Sequence, residues 1–445
     1  MVLNKIFAEK DKHHFKEKGR FKVDTSMKMD AIDDPFSIVP PADEMVVFLR
    51  QSMGVETKPI VEEGDSVSYG QKIGDNENGG IMVVPVHSPV EGTIMEIKEM
   101  IHPESGVKEN AVIIKTINKD NTPFLDPIKL ENATREKLLK RVREAGIVGL
   151  GGAAFPTHVK LSPPNNISHL IINAKESDPN VACDFRVMKE KPEDVLSGIK
   201  TIAKILDTKN IIFATRTHED QMPEFEDLLR KNNIEVTRIR HNYSVGSERL
   251  LVKEILNMEV PCVKFPPDLG VVVHNVSTAY AVSRAINKGE ALVSRGLTLY
   301  TEKERGNNLW VRMGTPISHI LDYVGISPKK FNRIVLGSIL MGNTIPNPSY
   351  PTLKATSGIT AFTREEPDPY SDPLQCIRCG YCNIVCPVDI YPQLIMEAEK
   401  KGNVKMLKKL HVEDCILCGL CSYVCPTRIK FTKYLRGGKK RIQNK

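Results

Sequence analysis

A chain of 445 residues is longer than one hydrophobic core serves and predicts about three domains. Its composition, 41% apolar, 26% charged and 6% aromatic, is that of an ordinary soluble globular protein. A membrane span is excluded, because it needs roughly 20 apolar residues in succession; the longest charge-free stretch, 334–353, is broken by Asn343, Asn347 and prolines.

Residues 1–35 are polar and Lys-rich with little periodic apolar signal, and are expected to form an arm. Between 36 and 125 the pattern turns to short β-rich runs separated by Gly turns: 45–49, 58–61, 64–67, 81–86, 92–97 and 111–117. The segments VEEGDSVSYGQKIGD (61–75) and VHSPVEGTIMEIK (86–98) look like paired halves, and the whole resembles the biotinyl/lipoyl-like barrel-sandwich. Those carriers present a modifiable lysine at a hairpin tip. The matching stretch here, His87-Ser88-Pro89-Val90-Glu91-Gly92, has none, so an unmodified scaffold is expected.

An α/β domain is predicted over 126–285. It opens with an amphipathic helix at 134–145, stopped by Gly146, and a glycine-rich loop from Gly149 to Lys160. Strand 168–173, helix 192–206, strand 210–214, helix 219–231, strand 234–239 and helix 246–257 then alternate, which predicts a mostly parallel sheet. A small domain of short strands, a Gly314 turn and one short helix follows over 286–340. Prolines 346, 348, 351, 367 and 369 then mark 341–370 as a linker. After the cysteine-rich segment 371–430, residues 431–445 read as a basic tail. From Arg428 onward there are eight Lys or Arg and no acid, so most of the +7 net charge sits there. Such a tail suits anionic headgroups, an acidic partner or a solvated end. Nucleic acid is not expected as a partner, since no aromatic-interleaved platform or groove-reading motif accompanies the charge.

Eight of the ten cysteines form two copies of one pattern: Cys376-x2-Cys379-x2-Cys382-x3-Cys386-Pro387 and Cys415-x2-Cys418-x2-Cys421-x3-Cys425-Pro426. This is the spacing of the bacterial two-cluster ferredoxin run, in which the fourth cysteine of each run ligates the other cluster. It assigns Cys376, Cys379, Cys382 and Cys425 to one [4Fe-4S] centre, and Cys415, Cys418, Cys421 and Cys386 to the second. Disulfides belong to short secreted chains, and zinc knuckles do not need three close cysteines followed by Cys-Pro. Reduced thiolates without an export signal point to the cytoplasm. Cys183 and Cys262 stand alone and are expected to be small buried apolar residues.

The glycine-rich loop follows a helix rather than a strand, so it does not meet the dinucleotide fingerprint of a Rossmann fold. Closely spaced glycines still let backbone N–H groups approach an anion, with Lys160 as a nearby point charge. A tight helix-to-strand connection is the competing reading.

Family resemblance adds to this. GLGGAAFPTHVKL (149–161) resembles the flavin-binding loop of the NADH-oxidising subunit of respiratory complex I, and more closely that of the RnfC family, peripheral subunits of the Rnf electron-transport complex. NAKESDPNVACDFRVM (173–188), YSVGSERLL (243–251) and HNVSTAYAV (274–282) resemble the family's next three motifs in order, with Lys175 standing where the families carry alanine or aspartate. With the barrel-sandwich and the tandem clusters, the resemblance covers nearly the whole chain. It implies FMN held by Gly149, Gly151, Gly152 and Lys160. Asn173 and Glu176 would lie near the isoalloxazine, Tyr243 and Gly246 beside it, and Asn275 and Thr278 at the phosphate. Asp178 and Glu248 would face NAD(H), with Phe155 stacking on its ring. It further implies a small β-grasp-like (SLBB) domain over 286–340. The function implied is electron transfer between NADH and a redox partner through FMN and two [4Fe-4S] clusters. The chain would act as a peripheral, cytoplasmic-side subunit of a membrane oxidoreductase complex that includes an iron–sulfur partner protein. The alternatives are a soluble carrier feeding a dedicated reductase, or a docking subunit with an inactive nucleotide site. No acid, base or nucleophile is needed, and His158 and His274 are expected to be hydrogen-bonding neighbours of the loop.

Overall fold

The structure, a computed structural model, describes residues 23, 28, 31–76, 78–118, 125–216, 222–239, 242–301, 306–363 and 373–443. Most of the expected arm, together with Pro367 and Pro369, lies outside them.

After β1 (Ser37–Ile38), which joins a later sheet, the N-terminal domain runs through β2 (Glu44–Phe48), β3 (Lys58–Pro59), β4 (Ser66–Val67), β5 (Lys72–Asp75), β6 (Val86–His87), β7 (Glu91–Ile101) and β8 (Lys108–Asn118). They form two small sheets, β2-β8-β7-β4 and β3-β5-β6, whose inward residues Met45, Val47, Ile73, Ile94, Val112 and Ile114 share one core. This is the expected sandwich with two local differences. The run 81–86 is a strand only at its end, and β5 comes from a glycine-interrupted stretch with weak alternation. The lysine-free hairpin tip is not a free tip. His87 through Val90 are buried, His87 Nε2 lies 2.8 Å from the Glu144 carbonyl oxygen, and Arg312 donates to the Pro89 carbonyl at 2.8 Å. A fully buried Lys354 donates to the carbonyls of Pro85 (3.1 Å) and Gly146 (2.8 Å), closing the same seam. A swinging carrier is impossible with its tip fixed in this way.

The second domain contains α1 (Arg135–Glu144), α2 (Thr157–Lys160), β9 (His169–Asn173), α3 (Cys183–Glu190), α4 (Pro192–Leu206), β10 (Ile211–Arg216), α5 (Pro223–Lys231), β11 (Glu235–Ile239), α6 (Glu248–Leu256), β12 (Val271–Asn275) and α7 (Val276–Asn287). Its sheet is all parallel in the order β11-β10-β9-β12. The chain moves outward from β9 to β11 and then returns to the other side of β9, so the strand order reverses between β9 and β12. In open α/β sheets, ligands bind at such a switch point, outside the carboxyl ends of the strands. Helices α4 and α7 pack closely, because a Cβ on Gly198 would overlap the Ala279 carbonyl.

The third sheet, β1-β14-β13-β17-β15-β16, uses β13 (Ser294–Thr301), β14 (Asn307–Arg312), β15 (Phe331–Leu336), β16 (Asn343–Ile345) and β17 (Gly358–Thr363), with α8 (Ile317–Tyr323) packed on it. The expected linker over 341–370 is therefore corrected. Residues 343–363 supply two strands, β17 lying between β13 and β15. Pro346, Pro348 and Pro351 occupy the connection between those strands, where no ladder N–H is needed.

The last domain holds α9 (Tyr381–Ile384), α10 (Pro392–Lys400), α11 (Val404–Lys409), α12 (Leu420–Tyr423) and α13 (Phe431–Gln443). Helix α13 corrects the expected basic tail. Phe431, Leu435, Gly438 and Ile442 make a buried stripe at helical spacing, while most of the cations face outward. Lys439 donates to the carbonyls of Glu413 and Cys415, and Arg441 pairs with Glu399.

Candidate functional site

Asn173 and Asn275 are register partners at the carboxyl edge of β9 and β12, which is the switch point. The glycine-rich loop reaches the same edge as a closed lariat. Gly149 N donates to the Phe155 carbonyl at 2.8 Å, and Val148 bridges Pro156 at the neck. Met53 of the barrel domain donates to the Ala154 carbonyl at 3.0 Å and steadies the outer turn. Gly151 lies against Asn275, where a Cβ would come within 3.2 Å of the asparagine Cβ. Gly152 sits at φ +104°, a conformation side chains avoid, and a Cβ there would project into open space. The loop thus offers backbone to a cradle that a side chain would fill.

Helix α7 begins at this cradle. Asn275 Oδ1 accepts from the N–H groups of Ser277 and Thr278, and Thr278 Oγ1 accepts from Leu150 N at 2.9 Å, tying loop to helix. Asn275 Nδ2 donates to Asp184 at 2.6 Å, and the Ser277 hydroxyl donates to the same carboxylate. Asp184 therefore belongs to the site although no sequence argument singled it out. The motif at 173–188 contained it, but nothing in the sequence announced helix α3 or its buried acid.

Glu176 is buried, accepts from the N–H groups of Asp184 (2.7 Å) and Phe185 (3.3 Å), and pairs with a fully buried Lys28 at 3.0 Å. Burial pushes its carboxyl up to about 7, against the pull of Lys28. Lys28 comes from the expected arm, so the arm contributes to the site, and its polar composition gave no sign of this. Asn173 donates to the Gly246 carbonyl at 3.1 Å and accepts from Lys175 N, joining β9 to the turn Tyr243–Gly246. Lys175 turns away from the loop onto the Asn242 carbonyl, and burial lowers its ammonium to about 7. Asp178 is raised by burial and bonded to Ser338. Lys160, expected on FMN, and Glu248, expected to face NAD(H), form an ion pair, and Phe155 is half-buried at the loop's neck. His158 bonds the Ile81 carbonyl of the barrel domain at 2.8 Å. His274 is buried with Nε2 unpartnered, and burial holds it well below the usual imidazole range.

The cysteines gather in two groups. Cys376, Cys379, Cys382 and Cys425 line one cavity of about 330 Å³, and Cys386, Cys415, Cys418 and Cys421 line a second. The two runs are conformational copies, with positive φ at Arg378 and Leu417, Gly380 and Gly419, and Asp389 and Arg428. Each run then enters a short helix, α9 or α12, carrying its third cysteine. Leu417 N and Ile429 N donate to the sulfurs of Cys415 and Cys425 at 3.4 Å. Burial pushes the thiols of Cys382 and Cys415 up to about 11 and that of Cys418 up to about 12, so a ligand metal must displace protons to hold them as thiolates. Four sulfurs around each cavity, with N–H groups directed at sulfur, fit a cubane cluster. The groups differ in exposure: Cys376 and Cys379 are exposed, whereas Cys386, Cys415 and Cys421 are buried. Cys183 is buried as expected, but Cys262 is only partly so.

Residues 23–119 match the RnfC barrel sandwich hybrid domain, 142–284 the Nuo51 FMN-binding domain and 363–429 the 4Fe-4S dicluster domain. The chain is 36% identical over 354 residues to the RnfC protein of the ion-translocating oxidoreductase complex of Rhodobacter capsulatus, covering 77% of this chain and 67% of that one. The chain belongs to the RnfC family of ion-translocating oxidoreductase complexes. The RnfC protein of Serratia proteamaculans is 35% identical over 377 residues, covering 82% of this chain and 53% of its own length. That of Haemophilus influenzae is 34% identical over 430 residues, covering 94% and 64%. The chain thus spans roughly half to two thirds of the length of these RnfC relatives. A crystal structure of an NAD+-reducing [NiFe]-hydrogenase shares the fold, with a TM-score of 0.52 at 16% identity over 71% of this chain and 64% of that one. As a member of the RnfC family, the protein is an electron-transfer component of an oxidoreductase complex, with an FMN-binding and a 4Fe-4S dicluster domain. Among the described residues no helix is long and apolar enough to cross a membrane.

Proposed function

We propose that this protein carries electrons between NADH and an iron–sulfur partner protein through FMN and two [4Fe-4S] clusters, attached peripherally to the cytoplasmic side of the membrane. One observation carries the reading: the turn at the flavin edge, Tyr243–Gly246, shares a buried core with Val385, Leu420, Val424 and Cys418 of the cysteine domain. A flavin edge and a cysteine-lined cavity in direct contact suit a redox relay. When bound, the flavin converts a two-electron donor to one-electron acceptors.

The protein's part is to hold and orient. Backbone at Gly149, Gly151 and Gly152 would receive FMN, and its phosphate would meet the α7 N-terminus at Asn275 and Thr278. Asn173, Glu176, Tyr243 and Gly246 would border the ring. Lys160 would release Glu248 to meet the phosphate, freeing that carboxylate, with Asp178, for the ribose hydroxyls of NADH beside Phe155. Cys376, Cys379, Cys382 and Cys425 would hold one cluster, and Cys415, Cys418, Cys421 and Cys386 the other. In domain terms, we take 36–125 as the barrel sandwich, 126–285 as the flavin-binding domain, a third domain reaching 363, and a cluster domain over the remaining described residues.

The test is anaerobic purification with iron, sulfide and flavin quantitation, followed by NADH titration. Bleaching of the flavin band near about 450 nm by NADH is expected. Protein without flavin or iron refutes the reading. If only a chemical reductant bleaches the band, the NADH half fails and a docking role remains.

A further inference from the structure

Tyr243 opens the turn that links the flavin edge to the cysteine domain. The turn is fixed from both sides: Asn242 caps it by accepting from Ser244, and Asn173 holds the Gly246 carbonyl. Tyr243 is 5% exposed, and its hydroxyl is buried with no partner in hydrogen-bonding geometry among the described residues. An unsatisfied phenol in an apolar core loses its hydration without recompense, so such groups call for an explanation. Its surroundings supply one. The side chain shares a buried core with Leu420 and Val424, against which Cys418 packs, and burial, then the neighbouring Asp178 and Cys418, push the phenol well above its ordinary range. Ser338 is the polar neighbour of the phenol and interacts with it weakly; its hydroxyl also accepts from Leu340 N at 3.3 Å and serves Asp178, so it offers the phenol only a shared acceptor.

The cavity of Cys418 is also the one docked on the flavin domain and on the third domain. A Cβ on Gly419 would stand 2.5 Å from the Leu340 carbonyl, and Asp414 pairs with Arg249 of α6 at 3.3 Å. The other cavity has two exposed cysteines. The cluster framed by Cys386, Cys415, Cys418 and Cys421 is therefore the inner one, nearest the flavin edge.

We propose that the Tyr243 hydroxyl donates a hydrogen bond to sulfur of the inner cluster and raises that cluster's reduction potential relative to its twin. This rests on reading the cavity as an iron–sulfur site. Hydrogen bonds to cluster sulfur, with burial, set such potentials, because they stabilise the charge gained on reduction. Tyr243 is a positioning residue here: it ligates no iron.

The test is a redox titration, monitored by electron paramagnetic resonance, of the anaerobic, cluster-loaded full chain carrying Tyr243→Phe. One of two cluster midpoints should fall by roughly a tenfold change in its reduction equilibrium, which is about 59 mV for one electron. The other cluster should keep its own. A second variant guards against loss of folding: 3-fluorotyrosine at position 243 keeps the hydroxyl and makes it a stronger donor, so the same midpoint should rise. The proposal is overturned if neither cluster midpoint moves, if both move together, or if only the flavin midpoint or the KM for NADH changes. Absence of iron in the wild-type chain overturns the underlying site reading instead, and iron analysis shows that before any titration.

Discussion

Replacing Lys28 by methionine keeps most of the side chain's volume and removes its charge, leaving Glu176 buried without its cation. The Glu176 carboxyl stands at about 7 against an ordinary 4.5, with burial raising it and Lys28 the largest opposing influence. At about 1.4 kcal/mol per unit, the ionised form already costs the fold about 3 kcal/mol above pH 7. The sign follows from the direction. A carboxyl raised in the folded state gives up its proton on unfolding between pH 4.5 and 7, so stability falls with rising pH across that window and levels off above it. Without Lys28 the folded value climbs further and the window extends upward. Removing one partner of a buried pair costs about 3–5 kcal/mol when the other stays charged. At pH 6 Glu176 escapes by keeping its proton, whereas at pH 8.5 it does so only against the solvent. We expect the Lys28→Met deficit to be about 2 kcal/mol larger at pH 8.5 than at pH 6, read from urea unfolding of the anaerobic holoprotein. A deficit of equal size at both pH values, or none at either, would refute the argument that Lys28 compensates Glu176.

Three further outcomes follow from the site. Cys425→Ser should cost the cluster of the first cysteine run, not the second, and roughly halve the iron content, because the fourth ligand crosses over; iron analysis and paramagnetic resonance of the remaining cluster check it. Gly152→Val puts a branched side chain at φ +104° and into the open cradle, so flavin retention on gel filtration should drop at least about tenfold while both clusters persist. Asn275→Ala removes the cap of α7 and a donor to Asp184. It should cost about 2 kcal/mol in unfolding experiments and weaken FMN binding measured by fluorescence quenching.

The parallel sheet was legible because β9 and β10 are short apolar runs and β11 a β-branched one, separated by helices with 3.6-residue spacing, and such alternation admits few topologies. The crossed cysteine grouping was legible because ligand spacing is a local constraint. What escaped was decided by partners far along the chain. Lys28 reads as one more cation in a polar arm until the fold brings it onto Glu176, 148 residues away. Asp184 looks like a helix-surface acid until Asn275 and Ser277 arrive from the end of β12 and the start of α7. The prolines near 346–351 outweighed the β-branched run of β17, and the density of charge after Arg428 hid the apolar stripe of α13. In each case a compositional signal was averaged over a segment whose buried positions are few and spaced.

The tandem runs pose a question that ligand chemistry alone does not answer. Both supply four cysteines, the same positive-φ turns and the same short helices, so two clusters held by them start as near equals. Packing makes them different. The second run is closed in by Leu340, by the Arg249–Asp414 pair and by Lys439, which bonds the carbonyls of Glu413 and Cys415. Around the first run, Leu374 and Ile377 remain 69% and 66% exposed beside Cys376 and Cys379. Water around a cluster stabilises its more highly charged state, whereas burial penalises that state unless directed N–H or O–H groups compensate. Burial alone would therefore make the inner cluster the harder one to reduce, a poor first acceptor for electrons leaving a flavin. A donor aimed at its sulfur offsets that penalty, and the buried Tyr243 phenol, with no acceptor in hydrogen-bonding geometry among the described residues, sits on the face where such a donor is required.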